Sequence, residues 1–259
     1  MLVDVHAHLD SPEMEDMDAV IERARNAGVK AVVTAGINRE SNRNALALAE
    51  KYDIVHAALG IYPMDALKKE IEGVDYNVQN QDFDVDAEIE FIRQNKDRII
   101  AVSECGLDYV NSDAEERKQQ VEVFEKQIAL AQDIKKPIIV HSRKAESDVI
   151  DILQGAGAEK VILHCFCGRK GLIKKAEEAG FYFSVPTNIV RAHNFQHLVD
   201  KVNLGRILTE TDSPWLSPFR DKVNEPAFVA ESVKKIAEIK GLTLEETAKN
   251  IYMNYQKLF

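Results

Sequence analysis

The chain has 259 residues, 45% hydrophobic and 29% charged, the make-up of a globular enzyme with ample core and no sign of disorder. A formal net charge of -10 argues against broad adhesion to nucleic acid or an anionic membrane, while leaving room for a local cationic site. Three cysteines, Cys105, Cys165 and Cys167, suggest no disulfide framework, and neither a bilayer-spanning run of roughly 20 residues nor a signal peptide is legible, so a cytoplasmic protein without membrane association is expected.

Apolar, β-rich runs alternate with helical patterns almost from end to end. Strands are predicted at 2–6 (LVDVH), 31–37 (AVVTAGI), 54–60 (IVHAALG), 99–103 (IIAVS), 137–141 (PIIVH), 160–164 (KVILH), 181–185 (FYFSV) and 206–210 (RILTE). Helical patterns lie near 16–27, 40–52, 84–95, 114–134, 145–156, 169–179, 193–201, 226–239 and 243–257. Eight βα units over about 250 residues predict a parallel sheet closed into a (β/α)8 TIM barrel in preference to an open sheet. No linker, repeat or low-complexity tract divides the chain, so one domain over 1–259 is expected. The poorly patterned segment at 64–84 reads as an inserted βα loop, and its acids, Asp75, Asp82 and Asp84 with nearby Asp86, as a solvated surface.

The polar residues at the strand ends carry the chemistry. His6 and His8 follow LVDV, Glu104 follows IIAVS, His141 follows PIIV, His164 follows VIL, and Asp212 closes RILTET. In a parallel barrel the C-terminal strand ends form the active face. Desolvating an unpartnered carboxylate or imidazole there costs several kcal/mol by order of magnitude. Taken singly, each residue is as well explained by a surface pair, a helix cap or a satisfied core histidine. Together, at the ends of the first, fourth, fifth, sixth and eighth strands, they point to a metal centre. Imidazole nitrogen suits Zn, Mn, Fe or Ni, and carboxylate also accepts Mg.

Five motifs follow in order: Asp4, His6, His8 and Leu9 as D-x-H-x-H-L; E-C-G-L-D-Y at 104–109; H-S-R at 141–143; H-C-F at 164–166; and E-T-D-S-P-W-L at 210–216. This set resembles the TatD-related deoxyribonucleases of the amidohydrolase superfamily, and the resemblance runs to the closing N-Y-Q-K-L-F at 254–259. It implies two divalent ions, with Zn, Mg or Mn as candidates. His6, His8 and Asp212 are expected to hold one, His141 and His164 the other, with Glu104 bridging them. It further implies phosphodiester hydrolysis by a metal-activated water, exonucleolytic and with DNA as substrate. The chain departs from the family at two places. Where G-x-H-P is usual it has Gly60, Ile61, Tyr62 and Pro63, and the R-N-x-P element is reduced to Val223, Asn224, Glu225 and Pro226.

Asp212 is the expected general base, with Glu104 as its partner in catalysis. Glu210, two residues earlier, either orients a histidine or makes an interior salt bridge. Tyr62 can donate a hydrogen bond to a phosphate oxygen but cannot act as a base at neutral pH, so with Arg143 and Arg169 it is an expected substrate contact. Further basic residues, Lys144, Lys170, Arg191, His193, Arg220 and Lys222, suggest a phosphate track over the second half of the barrel. Acids Asp10, Glu13 and Glu15 follow the first strand instead. Phe166, Trp215 and Phe219 are the aromatics placed to stack on bases. Cys165 and Cys167 are expected to be buried, inert thiols. Two other functions compete: a small-molecule phosphodiesterase, lactonase or deaminase in the same barrel, and a non-catalytic metal-binding protein.

Overall fold

In the computed structural model, which describes residues 1–67 and 84–259, eight parallel strands follow one another in sequence order. They are β1 (Leu2–Ala7), β2 (Val29–Ala35), β3 (Val55–Leu59), β4 (Ile99–Asp108), β5 (Ile138–Arg143), β6 (Val161–Leu163), β7 (Tyr182–Val185) and β8 (Ile207–Thr209). Strands β1 and β8 meet at a seam tied by polar groups: Thr209 Oγ1 donates to Val3 O at 2.7 Å, Asp212 N to His6 O at 2.9 Å and His8 N to Ser213 O at 2.8 Å. The expected (β/α)8 TIM barrel is thus the fold found. Its strands are nearly continuous apolar runs because both faces are covered, one by the barrel interior and one by helices.

Helices separate the strands: α1 (Met17–Asn26), α2 (Arg39–Lys51), α3 (Pro63–Ala66), α4 (Val85–Gln94), α5 (Ala114–Asp133), α6 (Glu146–Gly155), α7 (Lys170–Glu178), α8 (His193–Lys201), α9 (Val229–Lys240) and α10 (Leu244–Leu258). Their starts are written locally. Asn38, Asp113 and Thr243 each close a capping box, with Ser41, Glu116 and Glu246, which satisfies backbone N–H groups that have no partner inside the helix. The short α3 lies outside the sequence reading, since four residues carry no periodicity. The inserted loop expected at 64–84, with Asp75 and Asp82, lies outside the described residues apart from its ends. At its far end Asp84 caps α4 and Asp86 pairs with Lys126 at 2.6 Å.

The fourth strand departs from expectation. It runs five residues past Ser103, to Asp108, with an irregular register between Val102 and Cys105. Glu104 therefore sits inside the strand. Past the irregularity, Gly106 pairs with His141 and Asp108 with Arg143. A Cβ on Gly106 would lie 2.0 Å from His141 O, and its φ is +135°. Only glycine lets β5 approach β4 this closely where His141 must be placed.

Candidate metal centre

All six strand-end residues converge on the C-terminal face. His6, His8, Glu104 and His164 are buried, and His141 and Asp212 are partly buried. Alternation along extended β1 sends His6 and His8 to one side, and their Nε2 atoms lie 3.2 Å apart. Glu104 stands between two pairs of histidines. Its Oε2 is 3.4 Å from His6 Nε2 and 3.4 Å from His8 Nε2. Its Oε1 is 3.0 Å from His141 Nδ1 and 3.5 Å from His164 Nε2. Asp212 Oδ1 completes the first side, 3.7 Å from His6 Nε2 and 3.5 Å from His8 Nε2. Asp212 itself has a φ of 56°, a left-handed conformation that costs a non-glycine residue about 1–3 kcal/mol and is common at functional sites.

These spacings suit a cation better than a hydrogen-bonded network. Two imidazole nitrogens at 3.2 Å can share only one proton between them, and most N···O gaps here exceed the usual hydrogen-bond range. Ligands about 2.0–2.1 Å from one tetrahedral ion are about 3.3 Å apart, close to the observed edges. Three overlapping groups, His6/His8/Glu104, Glu104/His141/His164 and His6/His164/Asp212, each bring their ligand atoms within 4.8 Å. The donor set of nitrogen and carboxylate oxygen fits a divalent metal.

The charges are strongly coupled. Burial alone would push Glu104 up, but the facing imidazoles of His141, His6 and His8 outweigh it and hold its carboxyl well below the usual range. Burial also opposes charge on His8 and His164. Bonds to Asp212 and Glu104 nonetheless raise His8 to about 10, and the charge and hydrogen bond of Glu210 raise His164 to about 10. Burial and the neighbouring His164 push His6 the other way, below its ordinary value.

A second layer of side chains sets the ring orientations. His164 Nδ1 lies 3.1 Å from Glu210 Oε2, and Glu210 also accepts from Cys165 N at 2.9 Å and from Ser184 Oγ. This one contact gives Glu210 both of the roles expected for it, a hold on the His164 ring and an ion pair in the barrel interior. Asp4 accepts from Thr211 N at 2.9 Å and Thr211 Oγ1 at 2.6 Å, tying β1 to the segment that carries Asp212. Asn224, the remnant of the R-N-x-P element, is buried and donates to Thr187 Oγ1, Thr211 O and Trp215 O at 2.6–2.9 Å. It anchors the loop behind Asp212. Sequence reasoning missed Asp108, whose Oδ2 lies 3.2 Å from His141 Nε2. Its place in E-C-G-L-D-Y was the available signal.

The expected substrate contacts are dispersed. Arg143 and Arg169 are exposed on the active face, Arg143 Nη1 lying 4.0 Å from Asp108 Oδ2. Tyr62 is only 9% exposed, and its hydroxyl donates to Asp108 Oδ2 at 2.9 Å. Phe166 is buried against Phe183, so it belongs to the core. The Trp215 ring lies 5.2 Å from that of His8, and Phe219 is exposed. The two thiols expected to be buried are not: Cys165 is partly buried and Cys167 is exposed, and the hydrogen bond with Cys165 pulls Cys167 down to about 7.

A parallel (β/α)8 barrel with this donor set on its C-terminal face defines a metal-dependent hydrolase. The family is given by comparison with known proteins. The family model described as TatD related DNase matches residues 3–259. Deoxyribonuclease TATDN3 of Homo sapiens is 38% identical, covering 100% of this chain and 94% of that protein. The uncharacterized metal-dependent hydrolase YabD of Bacillus subtilis is 36% identical over 100% of this chain and 99% of its own length. Among solved structures, the TatD homolog YJJV of Escherichia coli superposes with a TM-score of 0.86 at 26% identity, covering 100% of this chain and 97% of that one. The chain belongs to the TatD-related DNase family. Among the described residues no helix is long and apolar enough to cross a membrane.

Proposed function

We propose that the chain is a deoxyribonuclease, a single catalytic domain that removes nucleotides from DNA ends with two divalent ions. The observation that carries this reading is the placement of Glu104, whose two carboxylate oxygens each face a different pair of histidine nitrogens. His6, His8 and Asp212 would hold one ion and His141 and His164 the other, with Glu104 facing both groups. Bound divalent ions supply Lewis acidity at the phosphoryl group and a water activated near neutral pH.

The chain's own groups do the rest. Asp212, kept ionised by bonds and charges from His8, His164 and His6 that outweigh its burial, accepts the proton of the attacking water. Glu104 stays anionic and balances the charge of both halves. Arg143 and Arg169, with Lys144, Lys170, Arg191, Arg220 and Lys222 on the same face, receive the phosphates of the strand. Trp215 and Phe219 offer faces to its bases. The acidic loop after β1, with Glu13 and Glu15, directs the strand away from that side.

The reading is tested with chelated protein reloaded with Mg²⁺, Mn²⁺ or Zn²⁺ and given end-labelled single- and double-stranded oligonucleotides. Stepwise release of nucleotides from one end is expected. Intact DNA with every metal, beside hydrolysis of a small ester or amide, would overturn the choice of substrate.

A further inference from the structure

His141 presents its two ring nitrogens to opposite environments. Nδ1 faces the donor cluster, 3.0 Å from Glu104 Oε1, and Nε2 faces away, 3.2 Å from Asp108 Oδ2. Asp108 has no role in the function derived so far. Its carboxylate is surrounded by donors: Val110 N–H reaches Oδ1 at 3.0 Å and the Tyr62 hydroxyl reaches Oδ2 at 2.9 Å. A carboxylate so placed accepts the Nε2 proton of His141. A cation in the cluster would then take the Nδ1 lone pair in place of the proton that Nδ1 offers Glu104 Oε1 in the metal-free protein.

Both partners of this pair are fixed from behind by one helix. Gln120 and Gln127 lie seven residues apart on α5, two turns along the same face. Gln127 accepts from Ile61 N at 2.8 Å and donates to Ile61 O at 3.0 Å, next to Tyr62. Gln120 accepts from Asp108 N at 2.8 Å and donates to Asp108 O at 2.8 Å. Each glutamine is 1% exposed, and each pairs with both the N–H and the C=O of one residue; Gln120 Nε2 also reaches Met64 Sδ at 3.9 Å. The Tyr62 hydroxyl also holds the carboxylate against the pull of Arg143, whose Nη1 is 4.0 Å from the same oxygen.

We propose that Tyr62 and Asp108 are a positioning pair that locks His141 in its Nε2–H tautomer with Nδ1 turned to the metal, and that Tyr62, whose hydroxyl lies 2.9 Å from Asp108 Oδ2 and 3.4 Å from His141 Nε2, acts on this pair instead of touching the substrate. This rests on the reading of His141 as a ligand and replaces the phosphate contact expected of Tyr62 with a role one bond further back. Carboxylate partners of ligating histidines affect metal affinity by about 10–100-fold.

The test measures Zn²⁺ affinity of the chelated protein by competition with a chromogenic chelator, together with kcat and KM on DNA and the imidazole N–H signals of the Zn²⁺-loaded protein by NMR. In Tyr62→Phe, which keeps the ring and removes only the hydroxyl, one Zn²⁺ equivalent should weaken by roughly 10-fold with KM unchanged. In Asp108→Asn, whose amide can offer an N–H to Nε2, the loss should reach about 100-fold and the His141 Nε2–H signal should vanish. Wild-type affinity in both variants, or an increase in KM alone in Tyr62→Phe, would overturn the proposal. Failure of the unmutated protein to take up Zn²⁺ would overturn the ligand reading itself, and this pair with it.

Discussion

The two sides of the donor cluster are held by different forces. On the β5–β6 side each histidine has a carboxylate on its outer nitrogen, Asp108 for His141 and Glu210 for His164. On the β1 side the outer nitrogen of His6 is buried with no hydrogen-bond partner among the described residues. Its ring is held by stacking on His164, with centroids 3.9 Å apart, and by the β1–β8 seam. His141 and His164 are therefore oriented by charge and His6 by packing. Carboxylate-to-amide changes should separate the two sides, because hydrogen-bonded charges respond to isosteric neutralisation and packed rings do not.

The largest effect should come from the residue common to both sides. Glu104→Gln removes the one carboxylate among the described residues that faces all four histidines, so nucleotide release is expected to fall about 10⁴-fold, the scale of several kcal/mol of transition-state stabilisation. Elemental analysis should show both ions lost. Retention of one full equivalent would mean that the sides are independent. Asp212→Asn confines the damage to the β1 side. It should lower kcat about 10³-fold, within the range for a general base, while the β5–β6 side keeps its ion. Near wild-type kcat would leave Asp212 no part in proton transfer.

Glu210→Gln probes the β5–β6 side and should weaken one metal equivalent by roughly 10–100-fold. An equal loss of both equivalents in a chelator competition would erase the distinction between the sides. The smallest effect concerns pH. In the metal-free protein His8 and His164 are raised to about 10, above the unfolded value near 6.5. Their contribution to stability is fully present below about pH 6.5 and is lost as pH rises through about 10. The melting temperature of chelated protein should fall between pH 7 and pH 10, by roughly 5 °C. In Glu210→Gln the fall should be smaller, because its charge is what raises His164. An unchanged slope would contradict that cause.

Much of this was legible in the sequence because strand ends are local events. An apolar run that stops at His marks both the strand and its polar tip, and the helical pattern after it marks the next element. Relations between strands were not legible. Asp108 reads as part of a motif, and its contact with His141 follows only from the β4–β5 register and from β4 running past Glu104. The orientation of Tyr62 likewise depends on Gln127, which is 65 residues further along the chain. The stacking aromatics divided for the same reason: Phe166 and Phe219 are alike in sequence, but one is buried against Phe183 and the other lies exposed beside Phe228.

The most direct measurement is a titration of chelated protein with Mn²⁺ or Zn²⁺ while nucleotide release from DNA is followed. The proposed two-ion centre requires activity to rise to a plateau at two equivalents per chain. A plateau at one equivalent, or release that persists in excess chelator, would contradict a binuclear centre.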